Sequence, residues 1–471
     1  MISFTFAEIA QITSGELIQL DAGTSTTASP VIDSRRIDGS EQFFCAFNGE
    51  SVDGNDFAQN AIERGAKFIL TEKALDLPSI KVADVQTALT ALARVARSRL
   101  AAKVIGITGS QGKTTTKELL REVLATQGAV IAPEGSFNNE LGLPLTVLSA
   151  DANTRFVILE MGARHTGDIA YLTDIAQPDV GVVLVVGSAH LGEFGSIEKL
   201  AATKAELIEH LPDGAIAVLG DYDPYTPTFG ANKSLRRIIF GEKAHDEIRA
   251  ADIELRGGRA HFDLVAPDGR ATVGLKVLGE HHIANALAAA AVGSALGIGV
   301  ETIAVALSEA ELSTKWRMEL HEVGGRTLIN DSYNANPESM AAAIKTAALM
   351  TQESGGSCWA FLGKMHELGA SEVESHLEIG RLASRFHIDH LVEVGGVHFA
   401  PAGTKELDGM DLLRAADVDE AMRFAEFIQP GDLVVVKASR AEGLEKLAQK
   451  LLDYFASDAV AVNEESEGER E

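Results

Sequence analysis

Apolar residues recur along the chain in two patterns that predict two kinds of element. Continuous apolar runs, such as 156–159 and 180–186, predict strands buried on both faces of a sheet. Apolar residues repeating every three to four positions, as in 84–100 and 338–350, predict helices with one apolar face. Toward the end of the chain the two patterns alternate, which is typical of a parallel, doubly wound sheet. The pattern therefore predicts an α/β protein.

A predicted strand, a glycine turn and a predicted helix start follow one another near the centre of the chain. The apolar run 104–107 precedes Gly109-Ser-Gln-Gly112, and Lys113-Thr-Thr-Thr116 opens the helix. This geometry aims backbone N–H groups and the positive end of a helix dipole at a phosphate. An ordinary strand–helix turn with a surface lysine is the alternative.

We expect this loop to bind a nucleotide phosphate chain, which the resemblance given below implies is that of ATP, through seven residues, namely Gly109, Ser110, Gln111, Gly112, Lys113, Thr114 and Thr115. Lys113 is expected to reach the β- and γ-phosphates, and the Thr114 hydroxyl to bind Mg²⁺. The usual pattern begins with a glycine where this chain has Ile107, so the loop is a shortened variant.

Two polar residues follow predicted core strands and are candidate metal ligands. Glu160 ends the run 156–159, and ligands of α/β sheets bind at the carboxyl ends of the strands. His190 follows the run 180–186. The alternatives are a solvated carboxylate and a loop histidine without a role.

A lysine interrupts the apolar stripe of the helix that we expect to begin after Ser196. The helical period places Lys204 on the same stripe as Leu200 and Leu207. A lysine there must extend to the surface, find a partner or change its charge state. Two interpretations follow: the Lys204 side chain extends to the surface, or it points at the nucleotide and metal site.

The pattern also suggests how the chain divides into domains. A length of 471 residues suggests about three domains of ~150 residues each. We expect a small N-terminal α/β domain at 1–83, a central domain with a P-loop-type ATPase sheet at 84–313, and a C-terminal Rossmann-like domain with a doubly wound sheet at 314–456. The acidic segment 457–471 predicts a disordered tail. Residues 213–275 predict only short strands and turns.

Composition and charge argue against several classes of function. The net charge of −27 argues against a nucleic-acid surface, which needs a basic stripe. Only two cysteines, Cys45 and Cys358, are present, which fits a reducing compartment and gives no metal or disulfide framework. The N-terminus has no basic region typical of a signal peptide. The uncharged stretch 283–300 predicts a buried core helix rather than a membrane span. We therefore expect a cytoplasmic protein that binds neither nucleic acid nor membrane.

The sequence contains six characteristic motifs, namely Thr108-Gly-Ser-Gln-Gly-Lys-Thr-Thr115, Glu160-Met-Gly162, Ala189-His190, Thr203-Lys204-Ala-Glu206, His281 with Asn285, and Asp331-Ser-Tyr-Asn-Ala-Asn-Pro337. Together these motifs resemble the Mur ligases, which are ATP-dependent amide-forming enzymes of peptidoglycan synthesis. Within the family, 331–337, Met365 to Gly369 and Asn138-Asn139-Glu-Leu-Gly-Leu-Pro144 resemble the branch that adds a dipeptide. The D-N-P-R tetrapeptide of relatives that add diaminopimelate is absent.

The resemblance implies a reaction and a set of site residues. The substrates would be ATP, UDP-N-acetylmuramoyl-tripeptide and D-alanyl-D-alanine, with Mg²⁺ as the cofactor. A monomeric enzyme would join the tripeptide to the dipeptide through an acyl phosphate. The implied catalytic residues are Lys113, Glu160, His190 and Lys204, and the implied metal ligands are Thr114, Glu160, His190 and Lys204 as a carbamate. The implied roles of the others are adenine contact for Asn285, phosphate contact for Arg317, ribose contact for Asp331, and substrate binding for Ser34, Arg35, Asn138 and Asn139.

Two residues depart from the family pattern, and other functions share some of the motifs. Asn48 and Lys364 stand where many relatives have a lysine and an acid, so neither position receives a role. Another ligase of the superfamily, such as the one that adds the third residue or a folylpolyglutamate synthase, would share the ATP loop. A GTPase-like switch protein needs N-K-x-D, and Asn232-Lys-Ser-Leu235 lacks the acid. The sequence does not distinguish a tripeptide ending in lysine from one ending in diaminopimelate.

Overall fold

Three sheets, each packed against helices, organise the chain. The computed structural model describes residues 1–468 except 40, 50, 51, 134, 136, 188–193, 313 and 402, and describes side chains as far as residue 459. The sheets have five, nine and seven strands and follow one another along the sequence. This architecture confirms the predicted α/β fold class.

The N-terminal sheet is small and mostly parallel. Its strand order is β2-β7-β6-β5-β4, with only β2 antiparallel to its neighbour, and β1 and β3 form a separate antiparallel pair. The bounds are β1 Phe4–Thr5, α1 Phe6–Thr13, β2 Glu16–Ile18, β3 Ser25–Thr26, β4 Ser29–Val31, β5 Gln42–Cys45, α2 Ala58–Glu63, β6 Ile69–Thr71 and β7 Ser79–Lys81. Thr5 and Glu8 form a capping box that satisfies two backbone N–H groups at the start of α1.

The central sheet combines a parallel part with an antiparallel extension. Its order is β16-β15-β14-β13-β12-β11-β8-β10-β9, parallel from β9 to β14 and antiparallel from β14 to β16. The strands are β8 Lys103–Thr108, β9 Val130–Ile131, β10 Phe156–Glu160, β11 Val180–Val183, β12 Ile216–Gly220, β13 Arg236–Gly241, β14 Ile248–Arg256, β15 Arg259–Ala266 and β16 Gly269–Leu278. The helices are α3 Val85–Arg99, α4 Lys113–Ala125, α5 Gly142–Ser149, α6 Asp168–Ala176, α7 Ile197–Glu209, α8 His282–Ala295 and α9 Val300–Glu309.

Strand β8 lies inside this sheet, between β10 and β11. Val104, Ile105 and Ile107 are fully buried, because β8 has helices on both of its faces. The carboxyl ends of β8, β10 and β11 therefore share one edge of the sheet, and the loops that follow them meet there.

The third sheet is a parallel sheet with antiparallel edges. Its order is β17-β18-β23-β19-β20-β22-β21, with β17 and β21 antiparallel to their neighbours. The strands are β17 Glu319–Val323, β18 Arg326–Asn330, β19 Cys358–Leu362, β20 His390–Val394, β21 Glu406–Leu407, β22 Met410–Ala415 and β23 Leu433–Lys437. The helices are α10 Pro337–Ser354, α11 Glu372–Arg385, α12 Val418–Ala421, which continues as a 3-10 helix over Met422–Phe427, and α13 Glu445–Gly468.

Helix α13 extends into the acidic segment 457–471, for which the composition predicts a disordered tail. Helix α13 continues through Gly468, and the described residues end there. Leu447, Leu451 and Phe455 bury the helix against the third sheet, and Asp458 forms a 2.7 Å ion pair with the buried Arg326. The acidic composition suggested disorder, but the first of these acids has a buried partner on the sheet.

The segment 213–275 also differs from its prediction of short strands. It contains β14, β15 and most of β16, which are 9, 8 and 10 residues long. Every second residue of β15 is buried and the others are partly exposed, because one face of the hairpin is solvated.

The uncharged stretch at 283–300 forms part of α8 and packs against α4, as the prediction of a core helix requires. In the part of the chain that the structure describes, no helix combines the length and apolarity needed to cross a membrane.

Candidate active site

The glycine loop between β8 and α4 has the geometry of an anion site. The first turn of α4 presents N–H groups of Lys113, Thr114 and Thr115 that no carbonyl within the helix can accept. Gly112 has a φ of 81°, and a Cβ at this position would lie 2.2 Å from Asn285 Oδ1. Only glycine therefore fits this position, because it must adopt a left-handed conformation against a neighbouring side chain.

The loop is fixed to the strands on either side of it. Ser110 N donates to Val185 O at 2.9 Å, and the Ser110 hydroxyl accepts from Gly187 N at 2.9 Å. The Thr108 hydroxyl donates to Met161 O at 2.8 Å. These contacts hold the loop in place before any ligand binds, so the cradle is preorganised.

Lys113 lies over the loop with its charge directed inward. Its Nζ donates to Gly109 O at 2.7 Å. Burial lowers the pKa of its ammonium; Glu160 opposes this effect, and Arg317 adds to it. The loop thus holds a half-buried cation next to the N–H cradle, which is the arrangement that a phosphate chain requires.

Glu160 ends β10 and is almost completely buried beside Thr114. Its Oε2 accepts from the Thr114 hydroxyl at 3.2 Å. Burial raises the pKa of this carboxyl, while Lys117, Lys113 and Arg317 lower it. Its Oε1 is buried and lies 3.4 Å from the Lys117 ammonium. A buried carboxylate oxygen of this kind, next to a hydroxyl, could bind a hard cation such as Mg²⁺.

Lys117 is a buried cation that the sequence interpretation missed. Its Nζ lies 3.4 Å from Glu160 Oε1 and donates to Pro133 O at 2.9 Å and Gly135 O at 2.8 Å. It follows Lys113 by one helical turn, and that spacing places both lysines on the same face of α4. This spacing is the feature of the sequence from which Lys117 could have been predicted to lie at the site.

Lys204 is fully buried in the cleft, so the alternative of an extended surface lysine is wrong. Its side chain is on α7, which Ser196 caps as predicted. Only 1% of the residue is exposed, and burial lowers its pKa to about 7, with a further reduction from Lys113. Glu206 and Asp168 oppose this reduction. Lys204 lines the cleft, and His190, the second candidate metal ligand, lies outside the described residues.

The third unit contributes a second set of charged groups. Arg317 Nη2 donates to the Thr114 hydroxyl at 3.4 Å, and its guanidinium lies 4.0 Å from the centre of the Tyr333 ring. Asp331 accepts from Lys437 Nζ at 2.6 Å, and Lys437 is 1% exposed. Lys437 ends the buried strand β23, so it carries the same strand-end signal that identified Glu160, although no role was predicted for it.

These groups share one cleft of about 1620 Å³ between the central and third units. Its lining includes the predicted residues Ser110, Gln111, Gly112, Lys113, Thr114, Thr115, Asn138, Asn139, Glu160, Lys204, Asn285, Arg317 and Asp331. Gly109 adjoins this wall through its carbonyl contact with Lys113. The histidines His281 and His282 also line the cleft; His281 is exposed, whereas burial lowers the pKa of His282 well below its ordinary value.

Ser34 and Arg35 lie in the N-terminal unit and are not part of this lining. Ser34 is buried, whereas the Arg35 side chain is 86% exposed and pairs with Asp33 at 2.8 Å. Of the two departures from the family pattern, Lys364 pairs with Glu372 at 2.9 Å and Asn48 bridges to Asp53.

Asn285 has contacts within the protein that the sequence did not reveal. Its Nδ2 lies 3.0 Å from His282 Nδ1, and its Oδ1 accepts from the Thr116 hydroxyl at 3.3 Å. The amide therefore packs behind the glycine loop, where it fixes the Gly112 turn. Adenine contact by Asn285 stays a prediction.

A preorganised phosphate loop, a buried strand-end carboxylate and cations from a third α/β unit define a multidomain nucleotide-dependent enzyme. The sequence matches the Mur ligase middle domain over residues 107–293, the Mur ligase glutamate ligase domain over 316–440, and the Mur ligase family catalytic domain over 31–122. The chain belongs to the Mur ligase family and is an ATP-dependent ligase.

Similar proteins match along nearly the whole chain. The UDP-N-acetylmuramoyl-tripeptide–D-alanyl-D-alanine ligase of Mycobacterium tuberculosis is 39% identical, and the match covers 96% of this chain and 98% of that protein. The crystal structure of MurF from Acinetobacter baumannii superposes with a TM-score of 0.84 at 32% identity, covering 96% and 99% of the two chains. MurF from Thermotoga maritima in complex with ADP gives a TM-score of 0.77 at 30% identity, covering 92% and 98%.

Proposed function

We propose that this enzyme joins D-alanyl-D-alanine to UDP-N-acetylmuramoyl-tripeptide at the expense of ATP. The observation that carries the proposal is the convergence of the phosphate loop with segment 331–337 in one cleft. This segment carries the motif that resembles the dipeptide-adding branch, and full-length relatives bear the corresponding name.

In this proposal the ATP phosphates lie against the first turn of α4. The N–H groups of residues 113–115 and the Lys113 ammonium face the phosphates, and Arg317 approaches from the third unit near Thr114. Phosphoryl transfer depends mainly on positioning and charge neutralisation, which these groups provide. Asp331 is proposed to contact the ribose and Asn285 the adenine.

Thr114 and Glu160 are proposed to hold Mg²⁺. The Thr114 hydroxyl and Glu160 Oε2 lie 3.2 Å apart, and the buried Glu160 Oε1 lies 3.4 Å from the Lys117 ammonium. A hydroxyl oxygen beside a buried carboxylate is a donor set that fits a hard cation. When bound, the ion neutralises charge on the transferred phosphoryl group.

The chemistry proceeds in two steps that balance without a redox partner. A terminal carboxylate oxygen of the tripeptide attacks the γ-phosphorus of ATP, which gives an acyl phosphate and ADP. The neutral amine of the dipeptide then attacks the acyl carbon, loses a proton, and expels inorganic phosphate to leave the amide. Water must be kept out, because it hydrolyses the acyl phosphate, and the walls from two units favour this exclusion.

Lys204 is proposed to carry a carbamate. Its lowered pKa leaves a large neutral fraction near pH 7, and a neutral amine adds CO₂ with loss of one proton. The resulting anion would be a second metal ligand together with His190. Its negative charge would sit near Lys113, which already interacts with Lys204.

Substrate contacts are proposed at two places. Asn138 and Asn139 line the cleft, where Asn138 O accepts from Gly162 N at 2.8 Å, and they are proposed to contact the tripeptide. Ser34 and Arg35 are proposed to contact the UDP part from the N-terminal unit. Arg35 would then have to exchange its ion pair with Asp33 for a phosphate, which its high exposure allows.

The proposal is tested with the purified enzyme, ATP, Mg²⁺ and UDP-N-acetylmuramoyl-tripeptide, with phosphate release and product mass as readouts. We expect phosphate release to require both the tripeptide and D-alanyl-D-alanine, with one amide formed per phosphate. Tripeptides ending in lysine and in diaminopimelate are compared in parallel. Equal turnover with L-alanyl-L-alanine, or with a folate substrate and glutamate, would contradict the proposed function.

A further inference from the structure

The segment that carries Arg317 has an unusual backbone. Trp316 and Met318, on either side of Arg317, have φ values of 61° and 50°. Residues other than glycine rarely occupy this left-handed region, and they persist there only where surrounding contacts enforce it. The backbone of residues 314–318, called here the Arg317 arm, is therefore held by its neighbours.

The C-terminal half of the arm is held by the third unit. Tyr333 N donates to Trp316 O at 3.0 Å, and Met318 N donates to Asp331 Oδ1 at 3.2 Å. Trp316 N donates to Glu319 Oε2 at 3.1 Å. These contacts tie the arm to the 331–337 segment, but none of them joins it to the phosphate loop.

The N-terminal end of the arm is held by the central unit through Glu118. This residue lies on α4, and only 5% of it is exposed. Its carboxylate accepts from Thr314 N at 3.3 Å and from the Thr314 hydroxyl through the other oxygen. Glu118 is thus placed to fix the arm relative to the helix whose first turn forms the phosphate site.

The arm delivers Arg317 to Thr114, on the same helix as Glu118. The guanidinium donates to the Thr114 hydroxyl at 3.4 Å and stacks on Tyr333, while its Nε is buried without a hydrogen-bonding partner among the described residues. Because the guanidinium has little direct support, its position depends on the backbone of the arm.

We propose that Glu118 is a positioning residue that places Arg317 in the phosphate site by anchoring Thr314. This inference rests on the proposed phosphate contact of Arg317. It adds that helix α4 supplies both the cradle for the phosphates and the anchor for the cation that arrives from the third unit.

The test is a double-mutant cycle between Glu118→Ala and Arg317→Ala, with kcat and the KM values for ATP and the tripeptide measured for each protein. Glu122→Ala is the matched control, since Glu122 lies one turn later on α4 and pairs with Arg121 at 2.9 Å on the helix surface. A misplaced reacting or charge-stabilising group can lower turnover by about 100-fold. We expect Glu118→Ala to lower kcat/KM for ATP by roughly 10- to 100-fold, by the same reasoning.

The cycle distinguishes positioning from a merely structural role. In the Arg317→Ala background we expect Glu118→Ala to change kcat/KM for ATP by less than about threefold, because the group that it positions is gone. The inference is overturned if Glu118→Ala lowers kcat/KM for ATP by the same factor in the Arg317→Ala background as in the wild-type enzyme. It is also overturned if Glu118→Ala alone has wild-type kinetics. Wild-type kinetics for Arg317→Ala overturns the proposed role of Arg317 as well, while the assay of the wild-type enzyme tests the function separately.

A second variant keeps the test decisive if Glu118→Ala does not fold. Thr314→Val removes the hydroxyl bond to Glu118 and keeps the backbone N–H bond and the volume of the side chain. We expect a smaller loss in kcat/KM for ATP that again disappears in the Arg317→Ala background. Thr314→Val with unchanged kinetics overturns the inference.

Discussion

The stability of the unmodified enzyme should depend on pH through Lys204, and replacing this lysine should remove that dependence. Lys204 is buried, and burial lowers its pKa from the ordinary value of 10.5 to about 7. Below pH 7 the folded protein must keep a buried ammonium, and this penalty is fully present. As the pH rises from about 7 to 10.5, the folded protein releases its proton before the unfolded chain does, so stability rises with pH.

The size of the effect follows from the two pKa values. Each unit of difference between the two pKa values corresponds to 1.36 kcal/mol, so burying the Lys204 ammonium lowers the free energy of unfolding by at most about 5 kcal/mol at low pH. Between pH 6 and pH 9 the linkage relation gives a gain of about 2.5 kcal/mol in the free energy of unfolding. Lys204→Met keeps an apolar chain of similar length in the same place and has no proton to release.

The assay compares urea unfolding of the wild-type enzyme and Lys204→Met by circular dichroism at pH 6 and pH 9, in buffers depleted of CO₂. The other titrating groups are common to both proteins and cancel in the difference. We expect the wild-type free energy of unfolding to rise by about 2.5 kcal/mol relative to that of the variant. A parallel pH dependence in the two proteins would refute the argument that Lys204 is held neutral by burial.

The carbamate itself has a separate readout. Addition of ¹³C-labelled bicarbonate near pH 7.5 should give a carbamate carbon signal in the NMR spectrum of the wild-type enzyme and none in that of Lys204→Met. The same addition should restore no activity to the variant. A wild-type spectrum without this signal, in a protein that still turns over, would contradict the modification.

Three further substitutions test the cleft. Lys113→Ala should lower kcat by roughly 100-fold or more, because it removes a preorganised charge facing the phosphates, and near-normal turnover in a folded variant would exclude the loop from the mechanism. Glu160→Gln should raise the Mg²⁺ concentration needed for half-maximal activity with little change in the melting temperature of the nucleotide-free protein, and an unchanged Mg²⁺ titration would refute the ligand assignment. Lys437→Met leaves the Asp331 carboxylate without its buried partner and should destabilise the third unit by about 3–5 kcal/mol, measured by the fluorescence of Trp316 and Trp359 during urea unfolding. Adding Asp331→Asn should recover part of that loss, and a double variant less stable than Lys437→Met would contradict the pairing argument.

Much of the site could be predicted because its residues interrupt strong local patterns. Glu160 ends a wholly apolar strand, and Lys204 breaks the apolar stripe of a helix, so each stands out against its neighbours. The glycine loop needed only the order of strand, turn and helix. In each case the pattern that builds the core also places the functional group at its edge.

Other features depend on contacts between distant segments, which the sequence alone does not show. Lys117 receives its carbonyl partners from residues 133 and 135, and Glu118 receives Thr314 from almost 200 positions later. The ion pair of Asp458 was missed because its buried partner, Arg326, lies 132 positions earlier in the chain. The long strands β14 and β15 were missed because their exposed faces carry charges, which weakens the apolar signal.

The most direct test of the central claim follows the oxygen atom that links the two steps. The terminal carboxylate of the tripeptide is labelled with ¹⁸O, and the inorganic phosphate formed with ATP and D-alanyl-D-alanine is analysed by mass spectrometry. Attack of the carboxylate on the γ-phosphorus predicts one ¹⁸O atom in phosphate for each amide bond formed. Unlabelled phosphate, or label found in AMP, would contradict an acyl-phosphate ligase.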